Sequence, residues 1–198
     1  ENLNFSVIEV ADTTPPVLIH AEIHLTDGLL LLKFNEVMEL ASDVSVDRTK
    51  VYLKNADGDR FALGSDIHGL PSSFVLGHVM SDLFVHGQTI NISLTEEMRV
   101  ASIARSSTAG GDGFVLTIEI DSSAVKDVSG NGNLAVSNNI LIEYSDISRP
   151  SIVEATVNYS TGFVEFRSDE TMDVTPLSLI NTTKFVLMNG LNEVVIDL

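Results

Sequence analysis

The residues able to do chemistry in this sequence are turn acids, a histidine-bearing strand and sequon asparagines. Asp27, Asp57, Asp59, Asp146, Asp169 and Glu170 lie at or beside turn-forming stretches. Carboxylates of this kind suit calcium, which takes about 6–8 oxygen ligands at about 2.3–2.6 Å. His20, Glu22 and His24 alternate along one strand face and raise the question of zinc. Same-face neighbours on a strand stand about 7 Å apart, so His20 and His24 cannot share an ion, and a solvated polar face is expected. Asn91, Asn158 and Asn181 head Asn-x-Ser/Thr sequons at outward or turn-like positions, where a glycan fits if the source is eukaryotic. Asn4 heads a fourth. Catalysis has no signature: there is no Cys, no Gly-x-Ser-x-Gly elbow, no phosphate-cradling loop and no His-Glu-x-x-His run. No enzyme activity is expected, and Gly110-Gly111-Asp112-Gly113 reads as a turn.

The elements that must position these groups come twice. At an offset of 134, residues 1–64 align with 135–198 without a gap, and 13 of the 64 pairs are identical. Asp12/Asp146, Pro16/Pro150, Gly28/Gly162, Glu36/Glu170, Met38/Met172, Thr49/Thr183 and Lys50/Lys184 are among them. Chance agreement at this composition is about four pairs. The stretch Asp12-Thr13-Thr14-Pro15-Pro16 is thus a repeat junction, returning at Asp146-Ile147-Ser148-Arg149-Pro150. Residues 1–11 read as the closing strand of a preceding repeat, 12–145 as a complete repeat, and 146–198 as the first part of a following one. The chain is expected to be an excerpt of a longer array, with 146–198 packing against further protein, either flanking sequence or another copy.

With 198 residues and 44% hydrophobic content, the chain can bury a core. A net charge of −17 makes nucleic acid and anionic membranes poor partners. No stretch approaches 18 apolar residues, so no membrane insertion is expected. The absence of cysteine does not settle the compartment.

Strict alternation from Val17 to His24 predicts a half-buried strand, with Val17, Ile19, Ala21 and Ile23 inward. Thr26-Asp27-Gly28 turns it into Leu30, Leu32 and Phe34, and Ser160-Thr161-Gly162 does the same in the next copy. Ser42 to Arg48 reads as a short helical turn. Further strands are predicted at Val51–Leu53, Phe61–Leu63, Thr89–Leu94, Phe114–Ile120 and Asn139–Tyr144, with Leu53, Ile90, Ile92 and Ile118 inward. Thr95-Glu96-Glu97-Met98 starts a helix, Thr95 as N-cap and two acids favouring the dipole. Asp127 to Asn133 reads as a loop. The predicted fold is all-β: immunoglobulin-like β-sandwich repeats in tandem, with one short helix per repeat.

The Asp-Thr-Thr-Pro-Pro entry, Phe34-Asn35-Glu36-Val37-Met38 and Val125-Lys126-Asp127-Val128-Ser129-Gly130-Asn131 resemble the tandem immunoglobulin-like repeats of bacterial surface-layer and adhesin proteins. They are also similar to repeats in filament or surface proteins of microbial eukaryotes. The third copy departs from the pattern, with Arg149 for the first proline and Arg167-Ser168-Asp169-Glu170 for Lys33-Phe34-Asn35-Glu36. The resemblance implies an extracellular or cell-surface, structural or adhesive setting; it does not imply an activity, because sandwiches of this kind host many functions. The function expected is that of a structural segment: a filament, appendage, stalk or adhesin shaft. The alternatives are a carbohydrate- or protein-binding module, or an accessory domain of a larger secreted enzyme. No Trp and 3 Tyr argue against an aromatic sugar platform.

Strand order places any calcium at the joint between repeats. A hairpin of the first two strands sets Asp146 near Asp169 and Glu170, and the next strand brings Asp57 and Asp59, with Asp27, toward the same joint. At the first joint the visible acids include Asp12 and Glu36. Neighbouring repeats, or other copies in an assembly, are the partners expected.

Overall fold

Short aliphatic runs of period two or nearly so, each closed by Gly, Asn or Asp, dictate strands rather than helices. The computed structural model describes residues 8–40, 46–63, 86–174, 176, 178, 180–189 and 192–195. The chain folds as two compact units, Glu1–Ser148 and Arg149–Leu198. Both are built of strands. The helical turn expected at Ser42–Arg48 lies mostly outside the described residues; a 3-10 turn occupies Arg48–Lys50.

In the first unit, β1 (Leu18–His24), β2 (Leu29–Glu39), β5 (His86–Ser93) and β8 (Ile142–Tyr144) form one sheet, in the order β5-β2-β1-β8. The second sheet has the order β4-β3-β6-β7, from β3 (Val51–Lys54), β4 (Arg60–Ala62), β6 (Thr117–Ile120) and β7 (Val136–Ile140). Every neighbouring pair is antiparallel except β1 and β8, which run parallel. Leu30, Leu32, Phe34, Ile90 and Ile92 from the first sheet share a single core with Val51, Leu53, Ile118 and Ile120 from the second. This is the all-β, two-layer arrangement that alternation predicts.

The strand expected at Asn139–Tyr144 is two strands in two sheets. The chain passes between layers at Leu141, which is buried, and its N–H donates to Leu116 O at 3.0 Å. Phe114 and Val115, expected at the start of a strand, are exposed, and the strand begins at Thr117. Helix α1 (Glu96–Ile103) follows the prediction, with the Thr95 hydroxyl accepting from Met98 N at 3.3 Å. Among the described residues, no helix is long and apolar enough to cross a membrane.

The inward register of β1 needs correction. Ala21 and Ile23 are buried as expected, but Val17 is 38% exposed and Ile19 56%, while Leu18 is buried at 7%. The pairing explains it: Leu18 opposes Phe34 and His20 opposes Lys33, so Ile19 is an extra residue bulged out of the ladder. A bulge switches the face on which every preceding residue falls.

The second unit contains β9 (Ile152–Asn158), β10 (Phe163–Ser168), β11 (Val186–Asn189) and β12 (Asn192–Val195), as two separate two-stranded sheets. Residues 152–158 lie 134 beyond 18–24, and a 3-10 turn at Thr182–Lys184 lies 134 beyond Arg48–Lys50. The hairpin register agrees pair by pair. Asn158↔Phe163, Val157↔Val164, Thr156↔Glu165, Ala155↔Phe166, Glu154↔Arg167 and Ile152↔Ser168 repeat the six β1–β2 pairs, bulge included. Gly28 and Gly162 both take positive φ, +62° and +76°, in the hairpin turns.

Candidate metal centre

The site is assembled by the end of β2, the entry linker and the loop after Val125. Asp12 caps its own turn, its Oδ1 accepting from Thr14 N at 2.9 Å. Asn35 then fastens the linker to β2: its Oδ1 accepts from Val17 N at 2.7 Å, and its own N–H donates to Val17 O at 3.0 Å. Past that clamp, β2 borders the 126–128 segment, through Glu39 N to Lys126 O at 2.9 Å and Val128 N to Val37 O at 3.3 Å. Glu36 and Asp127 are thereby carried together under Asp12. Each of the three offers a carboxylate oxygen, and these atoms lie within 4.8 Å of one another.

Asp127 is held hard in place. It is 2% exposed, and its Oδ1 accepts from Ser129 N at 2.9 Å and Asn131 N at 2.8 Å. Asn131 Nδ2 donates to Asp127 Oδ2 at 2.9 Å and to Asp12 O at 3.2 Å, tying loop to linker. Gly132 lets the loop close: a Cβ there would sit 2.3 Å from Ser123 Oγ and 3.0 Å from Ser123 Cα. Burial works to raise the Asp127 carboxyl, but the hydrogen bonds from Asn131, Ser129 and Gly130 outweigh it and hold it below the usual range. Glu36 goes the other way. Burial first, then the charges of Asp12 and Asp127, raise its carboxyl above the usual value. Its Oε2 is buried without a hydrogen-bond partner. Three carboxylates converging with one oxygen unsatisfied are the residues here that could hold a divalent cation, and oxygen donors of this type match calcium.

Of the acids singled out in sequence, Asp12 and Glu36 stand in this group. Asp27, Asp57 and Asp59 are exposed in their turns. Asp146 is bound by a cation of the protein's own. Arg99, only 6% exposed, donates from Nη1 to Asp146 Oδ2 at 2.6 Å and to Leu25 O at 3.1 Å. Its Nε and Nη2 reach Glu96 at 2.7 and 2.9 Å. The Glu96 hydrogen bonds raise its pKa against the opposing effect of burial, and Asp146 raises it further. Within the first unit, Asp27, Asp57, Asp59 and Asp146 form no group of three ligand atoms inside 4.8 Å. Asp169 and Glu170 belong to the second unit, where Asp169 Oδ1 accepts from Ser151 N at 2.7 Å and Glu170 O accepts from Ser168 Oγ. The residue missed was Asp127. Its signal was present: an Asp with Ser and Asn two and four residues on can satisfy both their backbone N–H groups.

His20 Nε2 and His24 Nε2 each lie 3.1 Å from a different oxygen of Glu22, and His24 stacks on Tyr144 at 4.3 Å between centroids. The face is a hydrogen-bonded His–Glu–His ladder. Of the sequons, Asn4 lies outside the described residues. Asn158 and Asn181 are exposed, but Asn91 is half-buried, with Oδ1 enclosed and unpartnered. Thr183 Oγ1 donates to Asn181 Oδ1 at 2.6 Å, as Thr49 does to Asp47 at the same spacing of two residues.

No family model matches the chain, and no curated protein matches it either.

Proposed function

We propose that the chain is a structural segment of a long extracellular protein, built of tandem immunoglobulin-like sandwiches joined by short proline-stiffened linkers. One observation carries the reading: two hairpins 134 residues apart share six cross-strand pairs and a bulge in the same register. Two devices repeat with them. Asp12 and Asp146 cap their turns alike, and Val17–Asn35 recurs as Ser151–Asp169. A chain that spends its sequence on repeating one joint serves to span distance and present a surface. The charge of −17 suits an exposed, soluble shaft. Neighbouring repeats or other copies are its partners, and any calcium the segment carries belongs at Asp12, Glu36 and Asp127. The test is electron microscopy of the native protein with surface labelling of intact cells. Domains in a row on a surface-labelled particle are expected. A single globular particle, or one shielded from the label, overturns the reading.

A further inference from the structure

We infer that the β9–β10 hairpin is a docking platform for two strands of fixed direction, one parallel along β9 and one antiparallel along β10. Their chemistry is that of β8 and β5, and the occupant is further chain of this repeat type. The inference rests on the array reading above. The two hairpins match in register and bulge, and in the first unit strands lie on both edges of the hairpin.

Around β1–β2 the molecule shows the covering strands. β8 lies parallel to β1 with Glu22↔Ile142, Ile23↔Glu143 and His24↔Tyr144. β5 lies antiparallel to β2 with Leu30↔Ile92, Leu31↔Asn91 and Leu32↔Ile90. In that unit, where the hairpin also shares a core with the second sheet, Leu18 is 7% exposed and Met38 is fully buried. Their counterparts 134 residues on are bare: Ile152 is 49% exposed and Met172 37%. Val164 and Phe166, in the places of Leu30 and Leu32, are half-buried, although Phe185 packs on Phe166 at 4.8 Å. Among the described residues, β9 and β10 pair only with each other, and a strand edge of this kind offers backbone donors and acceptors.

Carrying the register across fixes the geometry. Thr156, Val157 and Asn158 take an Ile-Glu-Tyr type strand running with them. Val164, Glu165 and Phe166 take an Ile-Asn-Ile type strand running against them. The aliphatic positions then fall on the Val164 and Phe166 side, and Asn opposes Glu165 without placing like charges together. This is strand addition, with main-chain bonds giving affinity and alternate side chains giving specificity.

The test adds two synthetic peptides, residues 86–94 and residues 139–145, to the protein at millimolar concentration and follows amide exchange by residue. Exchange is expected to slow at least tenfold, in 163–168 with the first peptide and in 152–158 with the second, leaving 18–34 unchanged. An 86–94 peptide carrying Ile90→Asp and Ile92→Asp should give no slowing. Unchanged exchange, or equal slowing by scrambled peptides, overturns the proposal. So does protection that appears without peptide, rises with protein concentration and is not competed, because a second copy would then cover the face. If the peptides fail while micrographs show domains in a row, the platform is lost and the array reading stands.

Discussion

Asp12 and Asp146 begin the same turn, each with its Oδ1 accepting from the N–H two residues on, at 2.9 Å in both. Beyond that turn they meet opposite surroundings. Asp146 faces Arg99, a nearly buried cation already pinned by Glu96. Asp12 faces Glu36 and Asp127, two more acids. The turn is written locally, in Asp and the residues just after it. The charge environment is written by distant segments, helix α1 in one case and the 127–133 loop in the other. Equal linkers therefore differ in electrostatic cost, and substitutions can exchange their characters.

The largest effect should come from removing the cation. Arg99→Ala leaves Asp146, Glu96 and the Leu25 carbonyl without their shared donor, and is expected to cost about 3 kcal/mol. The denaturant midpoint measures it, and Asp146→Asn should recover part of the loss by removing the stranded charge. Next, Asp127→Ala strips the acceptor from the Ser129 and Asn131 N–H groups, costing about 2 kcal/mol. If that loss is absent, the loop stands without its aspartate and the contrast between linkers weakens.

Glu36→Gln should act in the opposite direction and raise the melting temperature at pH 7. Its folded pKa is raised, so its favourable protonated form is complete below the unfolded value of about 4.5 and is lost as pH rises through the folded value. The variant's advantage should therefore vanish towards pH 4. Millimolar calcium is expected to raise the wild-type melting temperature and leave Glu36→Gln less responsive; equal responses would leave three converging acids that bind no cation. The smallest effect lies away from both linkers. Hydrogen bonds from His20 and then His24 hold Glu22 below the usual carboxylate range. Its stabilising contribution is present above its unfolded pKa and lost as pH falls through the lower folded one. Glu22→Gln should flatten that acid limb of the pH–stability curve.

The first hairpin shows how much was legible in the sequence. Glycine at 28 and alternation from Ala21 onward set the turn and the inward residues, because polar His20, Glu22 and His24 mark one face unmistakably. Val17, Leu18 and Ile19 are all aliphatic, so no polar residue records which way each points, and a bulge can sit there unseen. The Asn139–Tyr144 run hid its change of sheet for the same reason: Ile140, Leu141 and Ile142 look alike, yet only Leu141 is buried. For the site, Asp12 and Glu36 were visible as joint acids. Asp127 was not, since its position depends on β2 reaching a loop about 90 residues further along.

The parallel pairing of β1 with β8 has a mechanical consequence. Because the two strands run the same way, the linker entering before Leu18 and the linker leaving after Tyr144 depart from opposite ends of the pair. Tension applied through those linkers slides β8 along β1, straining the slanted bonds, and the Leu25 N to Tyr144 O bond at 2.9 Å, all at once. A hairpin pulled from its open end would instead surrender its bonds one after another. Arg99, gripping Asp146 just past the exit, receives the pull before the sheet does. The fold thus resists stretching by shear, the direction in which a row of such domains would be drawn.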